Sequence, residues 1–248
     1  MRKLFFLLLF IGSLIAAAIA FTPLGFVLSQ SGLDKAGVGW AKVDGSISNG
    51  RISGFYIQNQ PVGDVTLKLR PLSLLSFAPV YDVQWGGAGG RGTGVVRLSR
   101  AAIDASELRA QQDIGSIEAL MAPVRAIGGS IRIADGAFKL TRAGCESASG
   151  RVTTDALARA AEQYGKSFNA LEGNISCDAG RFLLAMSGQS DASDTVQINA
   201  EAGLLTGSKA DIRVGTEDGQ IIFVLNQLGF TRQDGTWVYT YSTQGGRP

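Results

Sequence analysis

The sequence predicts a mainly β protein with short helices: an N-terminal transmembrane helix followed by a curved antiparallel β-sheet domain. Three observations predict it. The chain opens Met1-Arg-Lys and then runs from Leu4 to Leu28 without a charged side chain. From Trp40 onward, short apolar runs alternate with Gly, Asn-Gly and Asp-Gly, the punctuation of many antiparallel strands. Apolar residues at helical spacing are confined to a few short stretches.

The apolar run comes first in the chain. About 20 apolar residues carry a helix across the hydrocarbon core of a bilayer, and the first charge after the run is Asp34. Arg2 and Lys3 precede it, and basic flanks stay on the cytoplasmic side, so the body of the chain is expected on the outer side. This divides the chain into an anchor, residues 1–30, and a β-rich body, residues 31–248. Ala18-Ile-Ala20 also reads as a small-x-small cleavage site, which makes a leader cut after Ala20 the alternative. The run resumes at Phe21 and reaches Leu28, longer than the roughly 7 to 15 residues of a signal core, which favours retention. Both readings put the body in the same compartment.

Composition narrows the chemistry. Lys and Arg total 23 and Asp and Glu 21; with Arg2 and Lys3 set before the run, the body carries 21 of each sign. The charges come singly and form no basic stripe, so no nucleic-acid partner is expected. Histidine is absent, which removes serine-histidine-aspartate and cysteine-histidine catalysis and nearly every histidine-based metal site. Two cysteines, Cys145 and Cys177, are too few for a thiolate zinc site and too far apart for C-x-x-C redox chemistry. In an oxidising compartment they read as one structural disulfide, the alternative being two free buried thiols. Loop entropy would make such a bridge worth about 3.5 kcal/mol. No cofactor, metal or catalytic residue is expected. The carboxylate pairs Asp191 and Asp194, and Glu217 and Asp218, lie in polar, turn-like sequence where a solvated surface is the ordinary role.

Strands are expected near 38–43, 45–57, 65–69, 81–85 and 93–98, with one turn of helix or a corner at Pro71-Leu-Ser-Leu-Leu75. Gly86 to Gly94 contains G-x-G-x-x-G, but a strand, Val95-Val-Arg-Leu98, follows it, where a phosphate-binding loop needs a helix. A hairpin connection is the reading. Helices are expected over 116–124 and over 155–164, the second with Asp155 as N-cap and Gly165 as stop. Three hairpins share one pattern, with turns at Asn49-Gly50, Asp135-Gly136 and Asp178-Ala-Gly180. Strands near 197–202 and 210–214, a short buried helix over 218–228, and a closing hairpin around Asp234-Gly235 complete the chain before a polar tail at 244–248. In that hairpin Trp237, Tyr239 and Tyr241 alternate onto one face.

The anchor, the segment Gly45 to Gly54 (GSISNGRISG), the segment Gly63-Asp-Val-Thr-Leu-Lys-Leu-Arg-Pro71-Leu-Ser-Leu-Leu75, and Cys145 followed by Leu171-Glu-Gly173-Asn-Ile-Ser-Cys177 are similar to one known family. The chain resembles the N protein of the bacterial type II (general) secretion pathway. The resemblance implies a single-pass inner-membrane protein with a periplasmic β-rich domain, no enzyme activity, and other secretion-pathway subunits as partners. It also implies a structural disulfide at Cys145 and Cys177, and a packing motif of Gly45, Gly50 and Gly54 with a corner at Pro71, Leu74 and Leu75. Assembly or scaffolding of the export of folded proteins across the outer membrane is the expected role. The alternative is a carrier or bridge for lipid or another hydrophobic ligand, because a curved glycine-rich sheet can form an apolar groove. Alternation along strands does not separate an open groove from a filled core.

Overall fold

The computed structural model describes residues 21–33, 37–57, 60–76, 78–118, 122–203 and 207–243, together with positions 6, 7, 10, 17 and 120. The expected membrane crossing and the polar tail at 244–248 lie for the most part outside these. No helix among the described residues is long and apolar enough to cross a membrane. The chain divides into two compact units, Met1–Ser99 and Arg100–Pro248, and in both the strands pair antiparallel.

The first unit holds α1 (Leu24–Gln30), β1 (Val38–Gly39), β2 (Lys42–Gly45), β3 (Asn49–Ile57), β4 (Gln60–Leu69), a 3-10 turn (Pro71–Ser76), β5 (Val80–Gly87) and β6 (Gly90–Leu98). The strands lie in the order β1-β3-β4-β5-β6, and β2 also pairs with β3. Residues directly opposed in an antiparallel ladder share a face, so Val43, Ile52, Val65, Trp85 and Gly92 form one row across the sheet. Glycine ends the row because the Trp85 ring lies over it; a Cβ at Gly92 would overlap the indole. The glycine-rich patch is a hairpin, as its sequence context requires, with Ala88 and Gly89 both at positive φ between β5 and β6.

The helix α1 covers that apolar row. Leu24 is only 4% exposed and shares its core with Ile52 and Val65, with Leu28, Val43 and Trp85 packed around them. Residues 24–28, read from the sequence as the end of the membrane run, therefore belong to the folded body. Pro23 causes the break: its extended backbone (φ −64°, ψ 131°) forms a bridge with Ser46, and the helix starts afresh after it.

The second unit holds β7 (Ala102–Asp113), a 3-10 turn (Ile114–Ser116), α2 (Ala122–Ile127), β8 (Ser130–Thr141), β9 (Gly144–Thr154) and α3 (Ala156–Glu162). It continues with β10 (Leu171–Asp178), β11 (Arg181–Gln189), β12 (Thr195–Ala202), β13 (Ser208–Gly215), α4 (Gly219–Gln227), β14 (Thr231–Gln233) and β15 (Thr236–Thr243). The order is β7-β8-β9-β10-β11-β12-β13-β15-β14, a meander until its last two strands. Its core is one face of the sheet: Val152, Leu171, Met186, Val196, Val214 and Trp237, joined by Leu225 of α4, with Leu157, Ile221 and Ile222 packed against them. The burial of β10 alternates strictly, Leu171 in and Glu172 out, as period-two patterning demands.

Three sequence expectations change here. Asp135-Gly136 is not a hairpin turn, because β8 runs straight through it. Asp135 takes φ 52° and the register with β7 and β9 shifts around it, which makes it a bulge. The helix expected over 116–124 is instead a 3-10 turn that ends at Ser116 and the separate α2 from Ala122. Strand β7 was not expected, since its Ala, Asp and Glu residues have low strand propensity.

Candidate functional site

The glycine motif, the proline-leucine corner and the cysteine pair are the segments singled out by the sequence, and each has a definite structural setting. Gly45 (φ 85°) pairs with Gly50 where β2 turns into β3. Ser46 and Asn49 exchange backbone hydrogen bonds at 3.1 and 3.2 Å, so the hairpin is the expected one but turns at Ile47-Ser48, two residues earlier than Asn49-Gly50. Gly50 is where α1 docks: a Cβ there would overlap Cδ2 of Leu24. Gly54 (φ 62°) marks a bulge, and its N–H donates to the Asp64 carboxylate at 3.1 Å. The same carboxylate accepts from Arg51 at 2.6 Å. These two donors, the Arg51 hydrogen bond first, hold Asp64 below the usual carboxylate range. The motif is thus a seat for α1, the last part of the apolar run.

At the corner, β4 ends at Leu69 and the chain turns through Pro71–Ser76. Ser73 ties the turn together: its Oγ donates to the Arg70 carbonyl at 2.6 Å and accepts from the Val80 N–H at 2.9 Å. Below the turn Arg70 grips Asp82 with two guanidinium nitrogens, the closer contact 2.7 Å, and this pairing lowers the Asp82 pKa. The corner changes the direction of the chain, but its leucines do not fill a core. None of its six residues is buried, and Leu72 and Leu75 are 82% and 80% exposed while Leu74 is half-buried.

Cys145 on β9 and Cys177 on β10 are joined by a disulfide, with Cα atoms 5.8 Å apart. Ladder pairing between these strands runs from Leu171↔Thr154 to Asn174↔Arg151, lapses, and resumes in the same register at Cys145↔Gly180. The disulfide spans that lapse. Gly144 (φ 114°) sits against the Gly180 carbonyl so closely that a Cβ would overlap it.

The carboxylates considered for chemistry take structural positions. Asp194 is buried and accepts from Thr216 Oγ1 at 2.7 Å and Ser190 Oγ at 2.9 Å, closing the β11–β12 connection onto the end of β13. Asp191 is exposed nearby. Asp218 caps α4, accepting from the N–H groups of Gln220 (2.8 Å) and Ile221 (3.2 Å), and pairs with Lys166. The Lys166 ammonium, then those N–H groups, hold the Asp218 carboxyl below its ordinary pKa. Glu217 is exposed and 3.8 Å from Arg232. Among the described residues no three His, Cys, Asp or Glu side chains gather as a metal cluster. Sequence reasoning missed the Asp194–Thr216 pair and the docking of Leu24. The Thr22-Pro23 break inside the apolar run was the available signal for the second.

Over residues 36–239 the chain matches the profile of the type II secretion system (T2SS) protein N family. The chain belongs to that family. The matched span contains the glycine motif, the corner and both cysteines, and reaches into both units. It makes the protein a component of the secretion machinery. Comparison with curated proteins and with solved structures finds no match.

Proposed function

We propose that the protein is a non-enzymatic, inner-membrane-anchored component of type II secretion, whose β-rich body lies in the periplasm and scaffolds contacts among other subunits during export of folded proteins. The family match over residues 36–239 carries this reading. Two further features support it. The apolar run behind Arg2 and Lys3 has the length and flanks of an anchor even when it is taken to end at Phe21, since about 17 residues can suffice. A disulfide linking neighbouring strands belongs in an oxidising compartment. The carboxylates considered for chemistry hold the fold: Asp218 caps α4 and pairs with Lys166, and Asp194 accepts from Thr216 and Ser190.

Crosslinking in intact cells, followed by extraction of membranes and capture of the tagged chain, tests the reading. Secretion-pathway subunits are expected among the captured proteins, and deletion of the gene should lower secretion of exported proteins until the wild-type chain is restored. Capture of no such subunit, together with unchanged secretion, would sink the proposal.

A further inference from the structure

The rim of the first unit's sheet from which the apolar run departs also carries Leu72 and Leu75, the two most exposed leucines among the described residues. Four backbone hydrogen bonds trace that rim: Ile47 N–H to the Thr22 carbonyl (3.0 Å), Leu69 N–H to Ser48 (2.9 Å), Arg70 N–H to Val80 (2.8 Å) and Leu98 N–H to Pro79 (2.9 Å). Phe21, just before the Pro23 break in the run, is 82% exposed at this rim, and the 3-10 turn with Leu72 and Leu75 rises from it between β4 and β5. A bilayer that holds the run must therefore lie against this end of the sheet.

We propose that the 3-10 turn Pro71–Ser76 is a second membrane contact, with Leu72 and Leu75 dipping into the outer-leaflet phospholipids beside the anchor. The inference rests on the anchored reading above. The chemistry of the turn fits a lipid surface. Its serine hydroxyls are spent internally, Ser73 on Arg70 and Val80, and Ser76 on the Ser73 carbonyl at 2.7 Å. The serine hydroxyls therefore add little to the cost of inserting the turn. On the strand ends beneath it, among the described residues, Lys68 lies across from Asp82, Arg70 is ion-paired with that carboxylate and Arg97 lies across from Val80, so these strand ends carry three basic side chains to one acidic, a balance suited to anionic headgroups. Leucine tips above a basic collar are how peripheral segments sit at a bilayer interface.

The test uses the full chain reconstituted in phosphatidylethanolamine and phosphatidylglycerol vesicles, with part of the lipid brominated in its acyl chains. Tryptophan is placed at Leu72 (Leu72→Trp) or, as control, at Ile57 (Ile57→Trp), which is 44% exposed at the opposite end of the same sheet. Both sites are surface positions, and an unchanged thermal midpoint checks the fold. Bromine is expected to quench the added Leu72→Trp emission at least about twofold and to leave that of Ile57→Trp nearly unchanged, because only the first reaches the acyl region. Adding Leu75→Glu should relieve the quenching. Equal quenching at the two positions overturns the membrane contact, while resistance of the chain to alkaline carbonate shows the anchor to be sound. Release of the chain by carbonate would overturn the anchor, and this contact with it.

Discussion

Asp155 sits where β9 passes into α3, and its carboxylate accepts from the Ser130 N–H at 2.6 Å and from Arg159 Nε at 3.3 Å. Burial pushes its pKa up, but the Ser130 N–H and Arg159 outweigh it and leave the group below its ordinary value. A depressed folded-state pKa contributes stability above the unfolded value, and that contribution is lost as pH falls through the folded one. Asp155→Ala should thus cost about 1–2 kcal/mol at neutral pH by orphaning the Ser130 N–H. The gap to wild type should narrow below about pH 4, where the unfolded carboxyl protonates. Urea unfolding at pH 7 and at pH 3 measures both, and a gap of equal size at the two would show that the ionised carboxylate is not what matters. Gly144→Ala is expected to be worse, at about 2 kcal/mol or more, because φ 114° is open essentially to glycine alone and the added Cβ meets the Gly180 carbonyl. At this scale the sequence was legible where a residue type is scarce, as with the two cysteines. It was less so for Asp155, whose place at the helix start could be read from the sequence. Its side chain serves Ser130, 25 residues away, and makes no capping hydrogen bond.

Glycine and aspartate mark positive φ, and strands use positive φ both to reverse and to bulge, so the pattern alone does not say which. Asp178-Ala-Gly180 reverses the chain between β10 and β11, with Ala179 at 47° and Gly180 at 80°, whereas Asp135-Gly136 kinks β8 without ending it. What decides is the partner strand on either side, which lies far away in sequence. The same dependence explains why β7 was invisible and why α4, with Ile221, Ile222 and Leu225 on one side and Asp218 at its start, was plain. The lapse in pairing between β9 and β10 gives the disulfide its role as the covalent tie across a weak stretch of ladder. Replacing both cysteines with serine should lower stability by about 3–4 kcal/mol, the loop-closure entropy of a 32-residue separation. It should also speed amide exchange selectively in residues 145–150 and 175–180. Denaturant midpoints and hydrogen exchange would record the two effects, and uniform exchange across β8 to β15 would contradict the local role.

For the molecule as a whole, the architecture was readable because it depends on a bulk property, the period-two patterning of apolar residues along the chain. Where the folded body begins was not readable, because hydrophobicity does not distinguish a side chain facing lipid from one facing a sheet. Leu24 and Leu28 continue the apolar run in sequence, yet they lie against Gly50, Val43 and Ile52 beyond the break at Pro23. This bears on the retained and the cleaved leader alike. A cut after Ala20 would leave α1 and its core intact, and the length of the run to Leu28 no longer argues for retention, since its last residues have another purpose. A chain starting at Phe21 should therefore be as stable as the intact body, whereas one starting at Ser31 loses α1 and uncovers Ile52 and Val65. The expected deficit exceeds that of Leu24→Ala, itself about 2–4 kcal/mol for a buried leucine with little room to relax. Trp40 and Trp85 pack beside that core, so their fluorescence during urea unfolding reports the loss directly. Equal midpoints for the two truncations would mean that α1 contributes nothing to the body, and that residues 24–28 are free to serve the membrane after all.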